Sequence, residues 1–224
     1  MTELEIADPL AMKDLAAFTS LAHRLDPDGA MRLHVSSTVL VVTVAPLYPH
    51  GIGDSTPLVL AMRMLRLSGP EMDGRDEVVP LTNLKDRFAR AENATRLPVP
   101  PNSVLVSWTG IAPPKGQWAV RDRISGNEIR STAEAGVEEI SSGAPEGAGS
   151  HAVKALRSRV WSKPMAAHDG TELPGGLAFA ANALRFVPET GTASAGESEE
   201  YDVFETSGWL RISTPGGHLL TRAK

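Results

Sequence analysis

Apolar positions near the start of the chain fall on one helical face: Leu10, Leu15, Phe18, Leu21 and Leu25. Asp8 supplies an N-cap, Pro9 fits the first helical turn, and Asp26-Pro27-Asp28-Gly29 supplies the stop. The period then changes. Met31, Leu33 and Val35 alternate with Arg32, His34 and Ser36, which predicts a strand with one wet face. Thr38–Val44 is a continuous run rich in β-branched residues and predicts a central strand buried on both faces. Pro46 to Pro57 reads as a loop.

Pro57–Leu67 fits two templates. Thr56-Pro57 and Gly69 resemble helix start and stop signals, but the position after two strands favours a third strand. The strand is the reading taken, paired with Val78–Leu81 across the turn-rich Ser68–Glu77. Asn83–Ala91 predicts a short amphipathic helix with Leu84, Phe88 and Ala91 inward, and further strands are predicted at Ser103–Thr109 and Gln117–Ile124. Glu128–Ile140 presents Ile129, Ala133, Val137 and Ile140 on one helical face, although Gly136 costs about 1 kcal/mol there. Ser150 is expected to cap a basic helix over His151–Trp161, and Gly175–Leu184 is expected to form another. The chain closes on a β-meander: Asp202–Thr206, Gly208–Ser213 and His218–Thr221.

These elements predict an α+β fold. A largely antiparallel, mixed-order sheet of seven to nine strands would carry four or five packed helices, in a single domain over 1–224. Ser141–Gly149, rich in Gly, Ser and Ala, is the expected internal linker, and the small, acidic stretch 190–200 is an expected flexible loop. The last strand of the meander is expected to be an exposed edge, and edges invite pairing, so a homodimer through this strand follows.

Charge narrows the function. The chain has 22 basic and 27 acidic side chains, and each half is slightly acidic, so neither half is a basic module and nucleic acid is an unexpected partner. With no cysteine, disulfides, thiolate catalysis and Cys-containing zinc sites are excluded. The N-terminus is acidic where a signal peptide would be basic, and no stretch reads as a membrane span, so a cytoplasmic protein without membrane attachment is expected.

Chemistry-bearing residues are few. The loop at 48–55 gathers Tyr48, His50, Asp54 and Ser55 after the most buried strand, and Ser, His and Asp are the types a nucleophilic triad uses. The loop lacks G-x-S-x-G, and neighbours on one loop seldom converge, so any catalysis would need remote partners such as His218 or Arg121. His50, Asp54, Ser55 and His218 are therefore the catalytic candidates, against the simpler reading that they hold a turn. Ser150 and Lys154, where a Gly-rich segment meets a basic helix, are ligand candidates because free amides at a helix start attract anions. The same group includes Arg121, Trp108 and Trp209; a tryptophan on a rim beside Arg121 or Arg211 would mark a binding surface. Neither a metal site nor a cofactor is expected from the six histidines or the glycine spacing.

Arg24-Leu25-Asp26-Pro27, Val79-Pro80-Leu81, Leu173-Pro174-Gly175-Gly176 and Gly208-Trp209-Leu210-Arg211 through His218 resemble a family of uncharacterised actinobacterial proteins of about this length. The resemblance implies a full-length bacterial unit and carries no activity. The resulting expectation leans away from an enzyme: a non-enzymatic binding or protein-interaction module, with an unknown protein or small molecule as partner. The alternative is a hydrolase-like enzyme with a pocket around the 48–55 loop.

Overall fold

The computed structural model describes residues 3–91, 94–143, 149–188 and 199–223. Among them lie twelve strands and five α-helices, in two compact units, Met1–Pro46 with Met62–Ile111 and Leu47–Ala61 with Ala112–Lys224.

The first unit contains β1 (Glu3–Glu5), α1 (Pro9–Leu25), β2 (Ala30–Ser36), most of β3 (Val39–Leu47) and the latter part of β4 (Val59–Arg66). β5 (Asp76–Pro80), α2 (Leu81–Ala89), β6 (Arg96–Pro98) and a one-turn 3₁₀ segment at Ser107–Gly110 complete it. α1 begins where its sequence says it should. Asp8 Oδ1 accepts the Leu10 N–H at 2.9 Å, which satisfies one of the unpaired amides of the first turn. Met12, Leu15, Phe18 and Ala22 form its buried stripe, whereas Leu10 stays in solvent.

The second unit contains β7 (Ala119–Ser125), α3 (Gly126–Gly143), α4 (Ser150–Trp161), the short hairpin of β8 (Pro164–Ala166) and β9 (Glu172–Pro174), and α5 (Gly176–Ala183). The meander β10 (Glu200–Thr206), β11 (Trp209–Thr214) and β12 (Gly217–Arg222) follows. The large sheet has the order β5-β2-β3-β4 in the first unit and β4-β12-β11-β10-β7 in the second, eight strands in all. The α+β class, the strand count and the helix count agree with the pattern of the sequence.

Several expectations are corrected. β4 forms as a strand and not a helix, as expected, but it does not pair with β5; β5 pairs with β2, with Met31 opposite Val79. Ser103–Thr109 is no strand. Its apolar alternation yields one backbone bond, Val104 N–H to Val78 O at 2.9 Å, before the chain turns into the 3₁₀ segment carrying Trp108. Ser150 does not cap α4: Gly149 occupies that position and Ser150 is the first helical residue. β12 is no edge either, since β11 and β4 flank it, so the C-terminal strand offers no free ladder for a homodimer. The sheet's terminal strands are themselves partly covered, β5 by Val104 and β7 by a bond from His168 N–H to Arg123 O at 2.9 Å. Of the expected linker, residues 144–148 lie outside the described residues, as do 190–198 of the expected loop.

Gly136 has a packing reason. A Cβ there would stand 2.2 Å from the six-membered ring of Trp161, which is buried and stacked on Phe179 at 4.7 Å between centroids. The helix tolerates glycine because the indole needs the space. Gly136→Ala, which raises helix propensity by about 1 kcal/mol, should still destabilise the protein by about 1–3 kcal/mol through overpacking. A lower urea midpoint than wild type checks this.

Candidate functional site

The second unit contains a cavity of about 490 Å³. Its floor is a row across the sheet, Glu205 of β10, Leu210 of β11 and Thr221 of β12, which lie opposite one another in register. Ser55, Pro57 and Leu58 form one wall, and residues 170–174 of the β8–β9 hairpin form another. Arg121 and Arg222 bring positive charge, and Glu172 and Glu205 bring negative charge, so the cavity is formally neutral.

A β-bulge sets this geometry. On β7, Val120 pairs with Phe204 and Asp122 with the adjacent Val203, so Arg121 is an extra residue in the ladder. The bulge breaks the two-residue alternation: Val120 is 58% exposed, whereas Asp122 is 3% exposed. Arg121 is left free to reach Glu205, with Nε 3.5 Å from Oε2.

Asp122, turned inward, organises the hairpin wall. Its Oδ1 accepts the Asp169 N–H at 2.9 Å and the Arg123 N–H at 2.7 Å, and its Oδ2 accepts the Thr171 N–H at 2.9 Å. Gly170 completes the turn with φ of +86°, a conformation that favours glycine. Burial raises the Asp122 pKa, but the backbone donors around it outweigh that and hold it down to about 2.

The residues singled out from the sequence are dispersed. Ser55 lines the cavity, its Oγ 3.0 Å from Ser158 Oγ and its carbonyl accepting from Ser162 Oγ at 3.0 Å. Asp54 is a loop clasp: it accepts the backbone N–H groups of His50 and Thr56 and the Thr56 hydroxyl, which together lower its pKa to about 2. The His50 ring is exposed and rests against Tyr48 at 4.3 Å. His218 faces Ser213, Nδ1 to Oγ 3.0 Å, and burial lowers its pKa. Among the described residues no hydrogen bond joins His218 to His50, Asp54 or Ser55.

Arg121 is at the cavity, whereas Ser150 and Lys154 lie exposed on α4, away from it. Trp108 and Trp209 are buried, Trp209 beneath Arg222 at 5.3 Å. Trp118 is half-buried, with the Arg211 guanidinium 4.5 Å from its ring and 4.4 Å from that of Phe204. Asp122, Glu205 and Arg222 were not among the sequence candidates. A single acid between two arginines in a strand, with Asp169-Gly170 as a turn to receive, is the only mark Asp122 leaves in the sequence. Among the described residues no cluster of three His, Asp or Glu side chains could hold a metal ion, and no helix is long and apolar enough to cross a membrane.

Residues 113–224 match the family model described as "Domain of unknown function (DUF8185)", and residues 1–110 match that described as "Domain of unknown function (DUF8010)". No curated protein matches the chain. Among solved structures, the DNA polymerase III subunit beta of Pseudomonas aeruginosa superposes with a TM-score of 0.53 at 12% identity, covering 99% of this chain and 64% of that one. The pol III beta of Caulobacter crescentus gives 0.52 at 12% identity, with coverages of 99% and 65%. This chain therefore spans just under two thirds of the length of these neighbours and shares their fold. That likeness corrects the functional expectation: an unspecified non-enzymatic binding or interaction module, or a hydrolase built on the 48–55 loop, gives way to the fold of DNA polymerase III subunit beta, described for Caulobacter crescentus as a beta sliding clamp.

Asp122→Asn places an amide among three N–H donors and should lower stability by about 2 kcal/mol at neutral pH. The sign follows from a depressed pKa: the contribution is full above the ordinary value of 3.8 and is lost as pH falls toward about 2. Denaturant titrations from pH 6 down should therefore show a shallower acid-side decline for the variant than for wild type.

Proposed function

We propose, from the premise that the chain belongs to the family described as "Domain of unknown function (DUF8185)", that it acts as a clamp on duplex DNA. The observation that supports this reading is the fold likeness to DNA polymerase III subunit beta over nearly the whole chain. A net charge of −5 fits it physically. Adhesion to DNA depends on cations displacing counterions, and an acidic protein has few to spare. Enclosure needs no such adhesion, and weak adhesion lets an enclosing body slide.

Size then requires several copies. A unit of about 110 residues has a radius of gyration of about 13 Å, hence a diameter of roughly 34 Å as a solid sphere. Four such bodies in a ring leave an opening of roughly 7 Å radius and five leave roughly 12 Å, against about 10 Å for a duplex. With two units per chain, enclosure takes three copies. The cavity on the second unit, neutral overall and rimmed by Arg121, Arg222 and Glu172, would receive an extended segment of a partner protein that works on the same DNA.

Light scattering at tens of micromolar should give about 71 kDa, three times 23.8 kDa; a constant 23.8 kDa would contradict the reading. Protein mixed with nicked circular DNA at a dilution that separates the copies, then concentrated, should co-elute with the circle in gel filtration and be released when the circle is cut once. Equal retention on circular and linear DNA, or none on either, rejects the clamp.

A further inference from the structure

Side chains alternate along a strand, so Arg211 of β11 points away from the cavity whose floor includes its neighbour Leu210. Arg211 is half-buried, and its Nε is buried without an acceptor. Its guanidinium lies 4.5 Å from the Trp118 ring and 4.4 Å from the Phe204 ring. Among the described residues no carboxylate stands within ion-pair distance of it, and burial lowers its pKa with nothing to offset the effect. Arg32 and Arg130, also half-buried, answer Asp76 and Glu199, and Arg63, likewise desolvated, has the charge of Asp14. An exposed lysine keeps its water, whereas this guanidinium has exchanged water for two ring faces.

The surroundings hold it in place. The Trp118 indole N–H donates to Pro114 O at 3.1 Å, and Gln117 just before it takes φ of +63°, which a residue with a side chain seldom adopts. Such backbone persists where contacts over-determine it, commonly at binding sites. Burial, and then the Arg211 charge, lower the His218 pKa, so this neighbour is uncharged at neutral pH. Apolar surface adjoins Arg211 in register: Phe204 lies opposite it on β10, and Val120, 58% exposed, lies opposite Phe204 on β7.

We infer that Arg211 receives a single carboxylate, the Asp or Glu side chain of an extended segment of a partner protein, whose flanking apolar side chains settle on Phe204 and Val120. A carboxylate matches the planar fork of the guanidinium and carries one charge. A phosphate monoester carries nearly two and calls for further cations. Side chains on one face of an extended segment are about 7 Å apart, and Val120 stands two strands, about 10 Å, from Arg211. An apolar residue two positions from the acid therefore falls over Phe204 and Val120. The inference goes beyond the clamp reading, and its test contains no DNA.

The reporter is the Trp118 indole N–H signal in nitrogen–proton NMR spectra, identified as the one lost in Trp118→Phe. The capped peptide Val-Ser-Glu-Ser-Val should move this signal saturably at neutral pH, and the same peptide with Gln for Glu should bind about 10-fold more weakly or worse. Arg211→Met should abolish the response and keep a thermal midpoint equal to or above wild type, because it removes an uncompensated charge. Arg211→Lys, which keeps the charge and stem without the fork, provides a second variant and should bind several-fold more weakly than wild type. The inference is overturned by a signal that the Glu peptide does not move, by equal affinity for the Gln peptide, or by wild-type binding in either Arg211 variant. Inorganic phosphate or benzoate binding more tightly than the peptide would assign the site to a free anion and overturn it too. A Trp118 signal that moves on dilution of the protein alone would assign it to a second copy, with the same consequence.

Discussion

The second unit depends on one buried carboxylate. A charge as enclosed as that of Asp122 is costly unless donors surround it, and three backbone N–H groups do so. The bulge at Arg121 makes the arrangement possible, because without the extra residue Asp122 would lie on the same face as the exposed Val120. Three features then follow from the one contact. The β8–β9 hairpin is held against β7, the outer side of β7 is partly covered, and residues 170–174 become a cavity wall. Asp54 does similar work on a smaller scale, fixing the loop that places Ser55 on the opposite wall.

Acidic groups here thus serve two purposes that a count of charges merges. Asp54 and Asp122 hold backbone in place, while others pair with surface arginines, as Asp76 does with Arg32 through two hydrogen bonds of 2.7 and 2.6 Å. Under the clamp reading proposed above, the net negative charge disfavours adhesion to nucleic acid and is consistent with enclosure instead.

Much of the fold was legible from local signals. Asp8 and Pro9 mark α1, the Asp26–Gly29 turn ends it, and the turn at Thr214–Gly217 marks the last hairpin. The errors arose where local pattern and tertiary pairing diverge. Val104, Val106 and Trp108 alternate like a strand, yet among the described residues no neighbour offers a ladder beyond the one bond from Val104 N–H to Val78 O. The apolar C-terminal strand looked like an edge because chain order suggests it, but a long-range insertion beside β4 buries Leu219 and Leu220. At the site, Ser55 and Arg121 were visible as residue types. The bulge that turns Asp122 inward was not, since a register shift is a property of two strands and leaves no mark on either alone.

Sliding itself is the most direct test of the clamp. Fluorescently labelled protein assembled on single DNA molecules stretched between beads should diffuse freely and remain bound while the ends are blocked, with a residence time that changes little as salt is raised. Opening one end should release it as it reaches that end. Dissociation from interior positions at a rate that climbs steeply with salt, whether or not the ends are blocked, would contradict the account.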